Sequence, residues 1–348
     1  MRINTRALVV LVALVSLLMI IDLRAQSGGK SVFQVLTLAP SARTAALGGN
    51  YISVRDSDIV LAQFNPAIAS LSSTRSIHFN QSFYYGGSGY SNIGVAHHLL
   101  KENITLIGGF QYLQHGDLTA ADEYGNKTGT FHASEMVMLI GASKKLFDPL
   151  SIGINLKYIF SQLESYNSSG LGIDLGALYT FKDGRQSMGL TIRNMGTQWD
   201  LYQDTRESLP LDILLGYSQR LEHVPVIFTI SAHDLNRWQL RYESVSNEVS
   251  IFGEPAAAPS AFSQGVDNLF RHLIFSTEIL LGKYAPLRLR LSYHHQRHQE
   301  LKDLSYRGLS GFAGGFGIHL SRLDIDYGLA NYHLAGSIHS IGIAYRWR

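Results

Sequence analysis

Residues 150–161 read Leu-Ser-Ile-Gly-Ile-Asn-Leu-Lys-Tyr-Ile-Phe-Ser, and this stretch decides the fold. Every second residue from Leu150 to Phe160 is apolar, whereas the positions between them are mostly small or polar and include Lys157. Successive side chains of a β-strand point to opposite faces, so the pattern predicts a strand with one apolar face and one wet face. The run exceeds the roughly 5–6 residues usual for soluble sheets and suits an oblique crossing of a bilayer.

The same alternation recurs from Ser76 onward and predicts about fourteen strands. An even number of strands is typical of an outer-membrane barrel. The last strand ends at Trp347 and resembles the aromatic-ended closing strand of such barrels. The predicted strands cover residues 76–85, 91–99, 103–112, 132–146, 150–162, 170–181, 187–195, 209–220, 225–235, 269–281, 286–296, 310–320, 322–330 and 337–347.

The predicted connections alternate in length. The short ones cover residues 101–102, 148–149, 182–186, 221–224, 283–285 and 321–322. The longer ones cover residues 113–131, 196–208, 236–268 and 297–309. Outer-membrane barrels have short periplasmic turns and longer outer loops, a sorting that soluble sandwiches have no reason to show. The sequence therefore predicts an all-β protein, a transmembrane antiparallel β-barrel over residues 76–348 in the cell outer membrane.

Composition narrows the function classes. The 348 residues contain no cysteine, which excludes a disulfide scaffold, thiol catalysis and cysteine-ligated metal. Charged residues make up only 16%, against about 25% in ordinary soluble domains. The formal net charge of +2 gives no support to a nucleic-acid partner, which requires a strongly basic face.

The first residues are typical of a targeting segment. Arg2 and Arg6 precede an apolar run over residues 7–21, and a polar stretch follows from Gln26. This order predicts a secretory signal peptide over residues 1–25, with a signal anchor as the alternative.

Residues 26–75 show little alternation and form a separate predicted segment. Ser31 is placed to begin one short helix, and residues 56–58 are placed to begin another that ends at Asn65 and Pro66. Apolar residues such as Phe33 and Ile59 need burial. The segment is therefore predicted to be a helical and irregular hatch inside the barrel, with a flexible periplasmic arm as the alternative.

Charged residues on the face opposite the apolar one must point into the lumen, since a basic group toward lipid costs up to about 2–4 kcal/mol near the midplane. Asp174 and Arg193 lie on adjacent predicted strands and are expected to form an ion pair. The predicted lumen charges are Lys157, Asp174, Arg193, Arg288, Arg290, Asp324 and Asp326, with His319 on the same face.

The 236–268 connection is long enough to be functional. It contains Trp238, Tyr242, Ile251 and Phe252, and exposed aromatic residues are common anchors of protein interfaces. We expect it to bind a surface partner; the alternative is a lid folded over the barrel mouth.

Several strings resemble a known family. Residues 31–36 (Ser-Val-Phe-Gln-Val-Leu), 41–49 (Ser-Ala-Arg-Thr-Ala-Ala-Leu-Gly-Gly) and 65–67 (Asn-Pro-Ala) are similar to the opening of the PorQ/PorV group. These are outer-membrane barrels of the Bacteroidetes type IX secretion system, distantly similar to FadL-type channels. Residues 163–168, 193–198, 221–225 and 310–317 resemble PorQ-type barrels more closely. The hatch motif within the opening consists of Arg43, Gly48, Gly49, Asn65 and Pro66.

The resemblance implies a non-enzymatic anchor in an attachment complex. Such barrels hold a surface protein of the PorZ type beside PorU-type and PorV-type components, and the complex joins secreted cargo to anionic lipopolysaccharide. The alternatives are a FadL-like channel for hydrophobic small molecules and an outer-membrane enzyme. No cofactor is predicted, because the sequence contains no P-loop and no dinucleotide fingerprint. No metal is predicted, because adjacent residues such as His294 and His295 point to opposite faces of a strand.

Overall fold

The computed structural model describes residues 31–241, 260–282, 286–301, 309–333 and 336–347. The predicted signal peptide lies outside the described residues, and so does the start of the segment from Gln26 to Lys30.

Fourteen strands form one closed barrel in which each strand pairs antiparallel with its neighbours in the chain and β1 pairs with β14. This confirms the predicted architecture. The strands are β1 (Ser76–Phe83), β2 (Gly89–Leu99), β3 (Ile104–Ala121), β4 (Lys127–Phe147), β5 (Leu150–Leu163), β6 (Tyr166–Thr180), β7 (Gln186–Asp200), β8 (Asp212–Arg220), β9 (Val226–Ala232), β10 (Leu273–Leu281), β11 (Leu287–His294), β12 (Phe312–His319), β13 (Leu323–His333) and β14 (Gly336–Arg346).

The barrel has two different ends. The turn end holds the start of β1, the end of β14 and the connections that follow the even-numbered strands from β2 to β12. The loop end holds the connections that follow the odd-numbered strands, and those after β3 and β5 are also tight. Short turns face the periplasm in outer-membrane barrels.

The wall is tall on one side and low on the other. The predicted long loop at residues 113–131 is wrong, because β3 and β4 continue to a tight turn at residues 122–126. Beyond the bilayer a hairpin can be polar on both faces, so its alternation fades while its ladder of hydrogen bonds continues. On the other side, β9, β10, β11 and β12 have only 7, 9, 8 and 8 residues.

Two helices lie beside the low side. α2 (Ala261–Arg271) precedes β10, and α3 (His295–Glu300) follows β11. The prediction that β10 begins at residue 269 is therefore wrong. Ser260 caps α2 by accepting a hydrogen bond from the Ser263 N–H, and the apolar spacing that follows is helical.

The two faces of the wall differ as the alternation predicts. On β5 the apolar Ile152, Ile154 and Leu156 are exposed on the outside, whereas Asn155 and Lys157 are buried on the inside. This is the arrangement of a barrel that contacts lipid outside and polar groups inside.

The hatch fills the lumen. It consists of a 3₁₀ helix at Gln34–Thr37, the short helix α1 (Ala42–Ala46), and 3₁₀ helices at Ile59–Gln63, Pro66–Ile68 and Leu71–Ser73. The helix predicted after Ser31 starts later, because Phe33 has a left-handed backbone with φ of 62°. The helix capped by Asp58 is present, whereas α1 is not anticipated from the alternation. No helix in the described part of the chain is both long enough and apolar enough to cross a membrane.

Candidate functional site in the plugged lumen

The lumen near the turn end contains a buried ionic network centred on Arg43 of α1. The Arg43 guanidinium lies 2.7 Å from the Asp56 carboxylate, 3.5 Å from Asp58 and 3.0 Å from Glu278 on β10. Arg43 and Glu278 are 2% and 0% exposed at their side chains. One cation of the hatch is therefore shared between two acids of the hatch and one acid of the wall.

The network continues along the wall strands. Arg290 on β11 lies 2.9 Å from Glu278 and 2.5 Å from Asp326 on β13. Glu278 therefore joins the hatch cation to a wall cation. Glu278 is not among the lumen charges predicted from the sequence, although it alternates with outward-facing residues of β10 and so belongs to the inner face.

The other predicted charges of this region lie at the rim of the network. Arg288 is 3.8 Å from Asp56, and Asp324 is 2.6 Å from Arg346 and 3.2 Å from His319.

The lumen near the loop end is apolar instead. Residues 32–36 of the hatch occupy a chamber whose walls come from several strands and from the loop before β8. The buried residues of this apolar chamber are Val32, Phe33, Val35, Leu36, Tyr90, Leu113, Val137, Ile159 and Leu209. The chain's own first described residues thus fill the largest apolar cluster of the lumen.

Polar contacts hold this segment in the chamber. The Val32 N–H donates to the Ser208 carbonyl at 3.1 Å, and the Val35 N–H donates to the buried Glu135 carboxylate at 2.8 Å. The Leu36 carbonyl accepts from Arg193 at 2.8 Å. These contacts place charged wall groups against the backbone of a segment that is otherwise apolar.

The predicted ion pair between Asp174 and Arg193 is wrong. Asp174 lies 2.7 Å from the Lys157 ammonium and accepts from the Asn194 N–H at 2.9 Å. A register shift between β6 and β7 at Asp174 brings the Asn194 backbone to the carboxylate. Arg193 instead points to the hatch, where its guanidinium lies 3.5 Å from the centre of the Phe64 ring.

The hatch motif has structural roles at several points of the lumen. Asn65 donates to the Ile52 carbonyl at 2.8 Å and caps the turn that begins at Pro66 by accepting from the Ala67 N–H. Gly48 and Gly49 have φ of 87° and 103°, and the Gly49 N–H donates to the Thr44 carbonyl at 2.8 Å to close α1. The left-handed backbone at this helix end favours glycine.

Of the four residues named in the predicted partner-binding loop, the structure describes Trp238 alone; Tyr242, Ile251 and Phe252 lie outside the described residues. Trp238 is 62% exposed and stacks on His272 at 5.1 Å between ring centres. Its carbonyl accepts from Asn268 at 2.6 Å, which ties the start of the loop to α2.

The described residues offer no candidate metal site. Among the residues that the structure describes, no three His, Asp or Glu side chains are placed to hold one ion.

Comparison with known proteins rests on solved structures. No family model and no curated protein sequence matches the chain. The barrel superposes on the TodX monoaromatic hydrocarbon channel deltaS2 mutant with a TM-score of 0.55 and 12% identity, covering 91% of this chain and 100% of that one. The fold is that of FadL-family outer-membrane barrels.

Two further neighbours have the same fold at 12% identity. The Pseudomonas putida toluene transporter TodX gives a TM-score of 0.54 and covers 90% of this chain and 98% of that one. The CymD monoaromatic hydrocarbon channel gives 0.52, with 91% and 99% covered. The shared barrel fold agrees with the predicted location in the outer membrane.

Proposed function

We propose that this protein is a non-enzymatic outer-membrane channel for small hydrophobic molecules, held shut by its hatch. The observation that carries the proposal is the apolar chamber near the loop end of the lumen. Its wall residues Leu113, Val137 and Ile159 are buried in one cluster with the hatch segment. Departure of residues 32–36 would leave an apolar cavity, which is the kind of site that takes hydrophobic ligands.

The relatives in fold support the same ligand class. TodX is named as a toluene transporter and CymD as a monoaromatic hydrocarbon channel. A compound entering the chamber would have to pass the hatch to reach the turn end, where the ionic network fixes Arg43 to the wall. Movement of the hatch is therefore part of the proposal.

Toluene uptake tests the proposal. Cells that express the wild-type barrel should take up radiolabelled toluene faster than cells carrying the empty vector. A truncation that removes residues 26–38 should take it up faster still, because the chamber is then uncovered. Equal uptake by wild-type, truncated and empty-vector cells would contradict the channel.

A cross-link tests the role of the hatch. The Ser53 and Ser218 hydroxyl oxygens are 2.6 Å apart and join the hatch to β8, and a disulfide bond needs about 2.05 Å between sulfurs. The chain contains no cysteine, so Ser53→Cys with Ser218→Cys gives one defined bond. Toluene uptake should fall when the disulfide bond forms. The reduced form of the same variant is the matched control, and its uptake should return to the wild-type rate. Unchanged uptake by the oxidised protein would show that the hatch need not move.

A second candidate function is the anchor of a type IX secretion attachment complex. It is supported by the PorQ-type strings and by the density of buried ion pairs that hold the hatch, which suits a barrel that stays closed. Its proposed partners are a PorZ-type surface protein, PorU-type and PorV-type components, and outer-membrane lipid including lipopolysaccharide.

Deletion of residues 242–259 distinguishes the two functions. If the protein is an anchor, the barrel of the deletion variant should stay inserted, and the surface partner should no longer co-purify from detergent-solubilised membranes. The contact of Trp238 with Asn268 is retained in this variant, so the ends of the deletion stay tied together. The channel predicts that no secretion component co-purifies with the wild-type protein and that toluene uptake survives the deletion.

A further inference from the structure

Helix α2 is amphipathic in the opposite sense to a helix on a water-soluble protein. Its polar residues Asp267, Asn268 and Arg271 face the rest of the protein: Asn268 is buried and bonds to the backbone at Trp238 and Leu240. Asp267 accepts from Arg271 at 2.8 Å and lies 3.2 Å from His295 of α3. A surface helix in water places its apolar stripe against the core instead.

The apolar face of α2 points away from the protein. Phe262 is 82% exposed, and Val266, Leu269 and Phe270 follow it at helical spacing with 39–45% exposure. These four side chains form one continuous stripe opposite the polar seam. A stripe of this kind is stable only next to a second apolar phase.

The position of α2 identifies that phase. The helix ends at Arg271 and β10 begins at Leu273 with only nine residues, about the length that a tilted strand needs to cross a bilayer. The start of β10 therefore lies at the outer membrane boundary. The Phe270 ring lies 6.3 Å from Phe275, which alternates with the buried Ile274 and Ser276 and so faces lipid.

An aromatic girdle continues from this point. Tyr293 at the end of β11 and Phe312 at the start of β12 are 4.9 Å apart, and the Tyr293 hydroxyl contacts His295 of α3 at 2.9 Å. Aromatic residues at this level mark the interface between lipid and water in membrane barrels.

We infer that α2 is an interfacial lipid-binding helix. Its stripe of Phe262, Val266, Leu269 and Phe270 inserts among the acyl chains of the outer leaflet, about 5–10 Å into the headgroup boundary. The partner is the lipid itself, because the stripe is continuous with the lipid-facing surface of β10 through Phe270. The inference is independent of the channel and of the anchor, since it concerns the outer face of the low wall.

Spin labelling tests the inference. The chain has no cysteine, so Phe262→Cys and Val266→Cys each accept one nitroxide label. The matched control is Gln264→Cys, at an exposed position outside the stripe. Each variant is reconstituted in phospholipid vesicles, and its heat-modifiable migration verifies the barrel. The collision rates of the label with oxygen, which partitions into lipid, and with a water-soluble nickel chelate are then measured.

The expected result is that positions 262 and 266 collide mainly with oxygen, with an oxygen-to-nickel ratio severalfold above that at position 264. A ratio at 262 and 266 equal to that at 264 would place the stripe in water and overturn the inference. Exclusion of both reagents at 262 and 266 would also overturn it, because another protein segment or a second copy would then cover the stripe.

Discussion

The Arg43 guanidinium lies 3.0 Å from the Glu278 carboxylate, and the two residues are 235 positions apart in the sequence. Arg43 belongs to the hatch and Glu278 to the wall, so this pair is a direct ionic link between the plug and the barrel. Removing one partner of a buried pair leaves an uncompensated charge, which is far more damaging than removing an exposed pair.

Arg43→Met should therefore destabilise the folded barrel by about 3–5 kcal/mol. The reason is that Asp56, Asp58 and Glu278 lose their shared cation. The matched control is Arg185→Met, which breaks the exposed pair of Arg185 and Glu222 at the turn end and should leave stability unchanged. Urea unfolding of the reconstituted protein, followed by its heat-modifiable migration, measures the free energy of unfolding of both variants. Equal losses of stability in the two variants would contradict a stabilising role of the ionic network.

The pair of Lys157 and Asp174 should be energetically coupled. Lys157→Met and Asp174→Asn each strand a buried charge, so the double mutant should be more stable than the sum of the two single losses indicates. The cycle of Arg193→Met with Asp174→Asn should show weaker coupling, because the Arg193 contacts are with Leu36 and Phe64 of the hatch. Thermal unfolding of all variants measures the two coupling energies. A stronger coupling of Asp174 to Arg193 than to Lys157 would support the ion pair expected from the sequence.

Gly328→Ala should weaken the docking of α1. A Cβ at this position of β13 would lie 2.3 Å from the Ala42 carbonyl oxygen of the hatch, so backbone must shift. Overpacking of this kind costs about 1–3 kcal/mol. Limited proteolysis should cut the hatch faster in this variant. Gly129→Ala on β4 is the control, because nothing lies within 4 Å of its Cβ; a similar cleavage rate in both variants would argue against close packing of the hatch.

The docking of α2 should depend on pH through Asp267. Burial acts to raise its pKa, but hydrogen bonds from Arg271 and His295 outweigh burial and hold the pKa below its usual value. A depressed carboxyl pKa contributes stability that is complete above the unfolded value of about 3.9 and is lost as pH falls through the folded value. A nitroxide at position 264 should therefore become more mobile below about pH 4. In Asp267→Asn the mobility should be high at neutral pH and should change little on acidification; an unaltered pH response there would exclude Asp267 as the cause.

The alternation of β5 and its repeats determined the strand count, the closed antiparallel barrel and the outward direction of the apolar face. These properties follow from sequence because side-chain direction along a strand has a period of two and lipid demands an apolar outer surface. The hatch was also predictable, since Phe33 and Ile59 had no strand in which to be buried. The helix α2 covers the end of the predicted 236–268 loop and the start of the predicted 269–281 strand, and it was not predicted, although the spacing of its apolar residues is helical.

The partners of the lumen charges were decided by tertiary structure alone. Alternation shows that Asp174 and Glu278 point inward, but a carboxylate pairs with whichever cation reaches its depth in the lumen. That depth depends on strand register, and the shift between β6 and β7 at Asp174 gives this carboxylate to Lys157 and frees Arg193 for the hatch. Glu278 meets Arg43 because closure of the barrel brings β10 around α1, a contact between distant segments that no local pattern encodes.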